Sequence, residues 1–292
     1  MNEGNEQRKK ISECNLSPFP IPHSPSPLFK REKILQRLAL ITGNEGIERL
    51  AGSKVMVFGL GGVGSWCAEA LVRSGVGALT LVDSDTVCVT NINRQAQATT
   101  KTIGEFKARA LRSRLLEINP GCRISALCRV FSAESAKEFA LEDADYIIDA
   151  IDSLTNKLDL IERSAALHKK LFSCMGMAQK LDPTQIRSAD IWETSRCPLA
   201  RLVRNGLRKR NFTGRLTVVY SKERLPIRAE AAGSCGAARC LCSAKNQAGA
   251  QEWCSSKKII NGSAVTVTAT AGMILASFVI NDVLSEPPPP PV

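Results

Sequence analysis

Gly59, Gly61, Gly62 and Gly64 follow a short apolar run, Val55–Phe58, and precede a helical pattern over Ser65–Ser74. A second apolar run, Leu79–Val82, ends in Asp83. A strand, a glycine loop, a helix and a second strand in this order cradle phosphate. Glycines let the backbone come close to an anion, and the helix N-terminus presents N–H groups that have no partner within the helix. Asp83 stands nineteen residues past Gly64, which suits a carboxylate accepting hydrogen bonds from a ribose. The run Asp83–Gln95 then carries Asp85, Asn91 and Arg94, and Lys107 follows on the next helix. Asp149 and Asp152 lie at the end of a further strand candidate, Tyr146–Asp149. The C-terminal ends of strands in a doubly wound sheet share one crevice. The glycine loop, Asp83, Arg94, Lys107 and Asp152 can therefore converge despite their separation in sequence. Two cations and a helix N-terminus offset a triphosphate, and an Asp at the crevice would hold Mg2+ beside it. Such a set suits attack on the α-phosphorus of ATP.

Histidine chemistry is nearly excluded, because the 292 residues hold only His23 and His168. Carboxylates, Lys, Arg, Cys or a metal ion must then do the work. The net charge of +11 favours polyanionic partners. Eleven cysteines are spread widely without a C-x-x-C, and no signal-peptide pattern opens the chain. These features lead to the expectation of mostly free thiols in a reducing cytoplasm.

The elements that must position these residues alternate. Phe29–Leu50 reads as two short helices broken near Gly43, and Gly104–Ile118 as a helix. Arg123–Val130 reads as a strand, Ala133–Leu141 as a helix, Ser153–His168 as a helix and Leu171–Cys174 as a strand. This predicts an α/β fold: a doubly wound, mainly parallel Rossmann-like sheet with helices on both faces. A C-terminal α+β extension covers 176–284 within a domain spanning 28–284. In it, Met177–Lys180 and Gln185–Ile191 flank Asp182-Pro183 as a hairpin. Pro198–Arg210 reads as a helix, Leu216–Tyr220 as a strand, and Ser263–Leu284 as a long apolar helix, buried in the fold or at a dimer interface rather than spanning a membrane. The polar stretch 1–27 and the proline run at 285–292 read as disordered tails.

The motifs GLGGVGS at 59–65, Asp83–Gln95, Lys107 and Asp152 together resemble the ubiquitin-activating-enzyme-like adenylyltransferases, the superfamily of the sulfur-carrier activators. The resemblance implies that Gly59, Gly61, Gly62 and Gly64 form the phosphate loop, with Gly61 and Gly62 on the phosphates. It implies that Asp83, with Asp85 beside it, serves the ATP ribose and that Asn91, Arg94 and Lys107 contact phosphate. It selects Asp152 for Mg2+. Arg37, in RLALITG, matches an arginine that reaches the partner subunit's ATP, which implies a homodimer.

Within that superfamily, LVRSGVGALTLVD, DTVCVTNINRQ, DAIDSLTNK, KLDPTQIRSADI, CPLARLVRNGLRK and GSAVTVTATAG resemble the tRNA threonylcarbamoyladenosine dehydratases. The likeness runs from about residue 29 to 284. It implies ATP-dependent cyclisation of threonylcarbamoyladenosine in tRNA through an adenylated carboxylate. The alternative is activation of a ubiquitin-like sulfur-carrier protein at its C-terminus, and a sulfur-transfer partner belongs to the same expectation. An NAD enzyme would share the glycine loop, yet no hydride-transfer residue stands out. A non-catalytic scaffold would not need Arg94, Lys107 and Asp152.

Arg201, Arg204, Arg208, Lys209 and Arg210 fit an RNA partner. On a helix Arg201, Arg204 and Arg208 share one face, with Leu199, Leu202, Val203 and Leu207 on the other. The cysteines at 235, 240, 242 and 254 fit no standard zinc spacing and read as loop thiols.

Overall fold

The structure is a computed structural model that describes residues 30–224 and 261–285. The tails and the cysteine-bearing stretch 231–258 lie outside the described residues.

Seven strands form one sheet: β1 (Lys54–Phe58), β2 (Ala78–Val82), β3 (Arg123–Leu127), β4 (Tyr146–Asp149), β5 (Lys170–Cys174), β6 (Ile186–Asp190) and β7 (Thr217–Ser221). Their order is β3-β2-β1-β4-β5-β7-β6. All pairs are parallel except β6 with β7. Among the described residues the α-helices are α1 (Arg31–Gly52), α2 (Gly64–Arg73), α3 (Lys107–Ile118), α4 (Leu154–Ala166), α5 (Pro198–Lys209) and α6 (Val265–Ser285). α1 is broken at Gly43, whose φ of 70° and ψ of 167° leave the helical region.

Side chains on β1 alternate between two cores. Val55 and Val57 meet the apolar stripe of α2, α3 and α6. Met56 and Phe58 face the opposite way, toward Phe131, Phe139 and Leu160. A central strand buried on both faces reads as a continuous apolar run, as 55–58 does. A third cluster joins α4 and α5 through Leu158, Ala200, Val203 and Leu207.

Three expectations need correction. Residues 133–141 do not form an α-helix but two short 3₁₀ turns, Ala136–Phe139 and Leu141–Asp143, joined at a left-handed Ala140. Ser135 Oγ donates to Val130 O and Ser132 Oγ to Glu134, so local hydroxyls compete with helical bonding. Phe131 and Phe139 close around Phe58 at centroid distances of 5.2 and 5.7 Å. The proposed hairpin is also absent: β6 pairs with β7, register Ile186↔Ser221 to Asp190↔Thr217, and Met177–Lys180 is not a strand. Asp182 caps the turn Pro183–Gln185 by accepting Thr184 N–H at 2.9 Å. Finally, α3 starts at Lys107, because Gly104 and Glu105 pair with Val87 instead of coiling.

α6 is long and apolar enough to cross a membrane, yet Val267, Ala271, Leu275, Ala276, Val279 and Val283 are buried in the fold. Gly272 lets it approach α2, since a Cβ there would lie 2.5 Å from Val63 O. Its C-terminal end is tied to the start of β4 and β5. Asp282 accepts Tyr146 OH at 2.7 Å and pairs with Lys170 at 2.6 Å. The opposite end of α6 therefore reaches the crevice at the strand C-termini.

Candidate functional site

The four loop glycines divide their labour. Gly59 has a φ of 86°, and a Cβ on it would stand 2.6 Å from Ala150 O. A Cβ on Gly64 would stand 1.9 Å from Gly59 O. These two let the loop fold against itself and against the end of β4. Gly61 opens onto free space, and Gly62 abuts Thr268 of α6. The face offered to an anion is thus at Gly61, over the N-terminus of α2.

Asp83 ends β2 beside this loop. Its two carboxylate oxygens accept the N–H groups of Leu60 at 2.7 Å and Asp85 at 2.8 Å. Burial pushes its carboxyl above the ordinary value, against the pull of Lys107 and these N–H groups. Lys107 is buried at the first position of α3, with Nζ 2.8 Å from Asp85 Oδ2 and its backbone N–H on Asp85 O. Burial opposes its charge, but Asp83, Asp85 and Asp152 together hold its pKa above the usual lysine value. One buried ammonium therefore sits among three carboxylates. In this arrangement Asp85 aims Lys107.

Arg94 follows the 3₁₀ turn Val89–Asn91. Its guanidinium donates to Thr90 O at 2.7 Å and Asn93 Oδ1 at 3.0 Å. Its carbonyl accepts Trp66 Nε1 of α2 at 2.9 Å. Asn91 is buried and its Oδ1 accepts Cys88 N–H at 3.0 Å, so it shapes the turn that carries Arg94. Ser65 and Gln97 complete the link between this segment and the glycine loop: Ser65 Oγ accepts Ala96 N–H, and Gln97 Nε2 donates to Leu60 O at 2.8 Å. An open cavity of about 630 Å³ lies between Thr90, Asn93 and Arg94 on one side and Asn261–Ser263 on the other.

Asp152 is exposed on the loop after β4 and interacts electrostatically with Lys107. Asp149 is different. It is fully buried and paired with Lys157 of α4 at 2.6 Å. Lys157 escaped the sequence reading, although its place in DAIDSLTNK, eight residues after Asp149, was a usable signal. Among the described residues no group of three or more His, Cys, Asp or Glu could hold a metal alone. One exposed carboxylate beside an anion cradle instead fits an ion such as Mg2+, which is held by one or two carboxylates together with substrate phosphates.

The basic helix departs from the expected face. Ala200, Val203 and Leu207 are buried, whereas Leu202 is exposed. Arg204 turns inward and donates to Thr194 O at 3.0 Å and to Thr194 Oγ1. Arg210, just past the helix, bridges Asp159 and Glu162 of α4 at 2.6 Å each. That leaves Arg201, Arg208 and Lys209 exposed, with Arg208 lying 5.5 Å over the Trp192 ring. Arg37 is exposed on α1.

Burial raises the thiol pKa of Cys67, and takes Cys122 to about 11 and Cys174 to about 12, so these thiols stay protonated. Cys128 is disulfide-bonded. Cys14 and the four cysteines from 235 to 254 lie outside the described residues.

Similar proteins match this arrangement over most of the chain. The tRNA threonylcarbamoyladenosine dehydratase of Bacillus subtilis is 42% identical over 187 residues, 64% of this chain and 74% of that one. The enzyme of the same name from Escherichia coli is 34% identical over 255 residues, 85% of this chain and 92% of that one. The solved structure of Escherichia coli tRNA N6-threonylcarbamoyladenosine dehydratase, TcdA, in complex with ATP superposes with a TM-score of 0.73 at 31% identity. It covers 87% of this chain and 95% of that chain. The model of the ThiF family matches residues 33–290, and the chain belongs to the ThiF family.

Proposed function

We propose that this protein is an ATP-dependent tRNA threonylcarbamoyladenosine dehydratase. The observation that supports this reading is Lys107 held among Asp83, Asp85 and Asp152 beside the glycine loop, in a chain similar to dehydratases over nearly all its folded length. The nucleotide's phosphates lie on the Gly61 face of the loop and its ribose against Asp83. Arg94 and Lys107 offset charge on the phosphates as it builds in the transition state. Asp152 would hold Mg2+, which supplies further charge neutralisation when bound.

The substrate threonine carboxylate attacks the α-phosphorus, and pyrophosphate leaves. The neighbouring carbamoyl group then attacks the activated carbonyl and expels AMP. Water is lost overall and a five-membered ring forms. Ring closure is intramolecular, so high effective molarity replaces a protein nucleophile, in keeping with a chain that holds only two histidines.

The RNA contacts fall to Arg201, Arg208 and Lys209 rather than to the whole basic segment. The protein acts as a homodimer in which Arg37 serves the partner's nucleotide, in the cytoplasm. A sulfur-carrier C-terminus is the competing substrate.

The test is incubation with ATP, Mg2+ and tRNA bearing threonylcarbamoyladenosine, followed by nucleoside mass spectrometry. Loss of one water together with AMP formation supports the dehydratase. An unchanged nucleoside, with pyrophosphate exchange only when a sulfur-carrier protein is added, refutes it.

A further inference from the structure

Beneath the crevice lies a polar cluster that the reaction above does not use. Asp149, the last residue of β4, and Lys157, in the first turns of α4, are both fully buried. Lys157 Nζ spends its three protons on Asp149 Oδ2 at 2.6 Å, Ser173 Oγ at 3.2 Å and Cys174 O at 3.0 Å. Asp149 Oδ2 also accepts Ser173 Oγ at 2.6 Å, and Asp149 Oδ1 accepts Ile151 N–H at 3.0 Å. A buried pair of this kind is seldom worth more to stability than apolar residues of the same volume. What distinguishes it is the backbone it holds. Ile151 directly precedes Asp152. Ala150, between Asp149 and Ile151, donates to Phe58 O at 2.8 Å, and its carbonyl is the group that Gly59 must clear. Lys157 N–H donates to Ser153 O at 3.0 Å, which closes the other end of the loop. The loop 150–153 is thus pinned on both sides, and the glycine loop rests on it.

We propose that Asp149 and Lys157 are a positioning pair that sets Asp152 relative to the glycine loop and so governs how Mg2+ strengthens ATP binding. This rests on the ATP and Mg2+ reading above. The pair touches neither nucleotide nor metal. It acts through Ile151 N–H and the ends of β4 and β5. Removing a group that orients a metal ligand typically costs about 10- to 100-fold in metal affinity or activity.

The test measures ATP affinity by calorimetry at graded Mg2+ concentrations, without tRNA, alongside thermal unfolding. Lys157→Met strands a buried carboxylate and should lower Tm sharply. The double variant Asp149→Asn with Lys157→Met removes both charges and should recover most of that loss. Ser173→Ala keeps both charges and is the mildest change. The expected result is that the double variant, though folded, needs about tenfold more Mg2+ for half-maximal ATP affinity. Ser173→Ala should shift the same way by a smaller factor. Folded variants that keep the wild-type Mg2+ response overturn the inference alone. A wild-type protein whose ATP affinity ignores Mg2+ removes the metal from the proposed function and overturns the inference with it.

Discussion

Replacing Lys107 by Met removes a buried ammonium that interacts with Asp83, Asp85 and Asp152. The side chain is 9% exposed, so little water can take its place. Unit charges about 4 Å apart interact by roughly 4 kcal/mol at an effective dielectric near 20. Loss of one oriented donor to a transition-state oxyanion costs about 10²- to 10³-fold in kcat. The two figures agree, and kcat/KM for ATP should fall by about 10²- to 10³-fold, read from initial rates of AMP release with the modified tRNA. Stability carries a second signature. Burial already raises the Asp83 carboxyl, and Lys107 is the foremost group pulling it down. Without that pull the folded-state pKa rises further above the unfolded one. Such a group stabilises the fold fully below its unfolded pKa, and the contribution is lost as pH rises through the folded pKa. The Tm of Lys107→Met should therefore fall relative to wild type as pH climbs from about 4 toward neutrality. A folded variant with kcat/KM within threefold of wild type, and a Tm profile parallel to it, would refute the assignment of Lys107.

Five further outcomes rest on particular residues. Arg201→Ala with Arg208→Ala should flatten the log–log salt dependence of tRNA binding by about 1.5. Arg204→Ala should leave that slope unchanged and instead lose about 1.5–3 kcal/mol in denaturant unfolding, because its partners are Thr194 and Ile191. Gly272→Val would drive side-chain carbons into Val63 O and Cys67 N, which predicts a loss of about 1–3 kcal/mol and a lower Tm. In Glu69, burial raises the carboxyl, but hydrogen bonds from Arg114 and Arg73 outweigh it and leave the pKa lowered. Its contribution is present above the unfolded pKa and is lost as pH falls through the folded one. Wild type and Glu69→Gln should thus differ in Tm at pH 7 and converge in acid. Mixing inactive Arg37→Ala with inactive Lys107→Met should restore partial turnover if Arg37 serves the partner's site, whereas no recovery on subunit exchange would place its role elsewhere.

The glycine loop, the strands either side of it and the acidic ends of β2 and β4 were legible in the sequence. Each rests on a local signal: an apolar run buried on both faces, glycines where a Cβ would collide, and a carboxylate at a strand end. The amphipathic stripe of α3, the break at Gly43 and the proline start of α5 are local for the same reason. Long-range pairing was not legible. β6 and β7 are separated by a helix, so nothing near Asp182-Pro183 reveals that residues 186–190 pair with 217–221 rather than with their neighbours. Residues 133–141 have helical composition, but three phenylalanines packing against one face of the sheet determine their path. Charge patterning counted Arg204 and Arg210 with the exposed cations, yet which arginines turn inward depends on carbonyls and carboxylates brought from other elements. Lys157 reads as an ordinary helix lysine until β4 and β5 bring Asp149, Ser173 and Cys174 around it. The residue types and spacings determined the chemistry this chain could offer. The sheet order and packing decided which side chains face the crevice and which hold it up, because those depend on contacts between segments far apart in the chain.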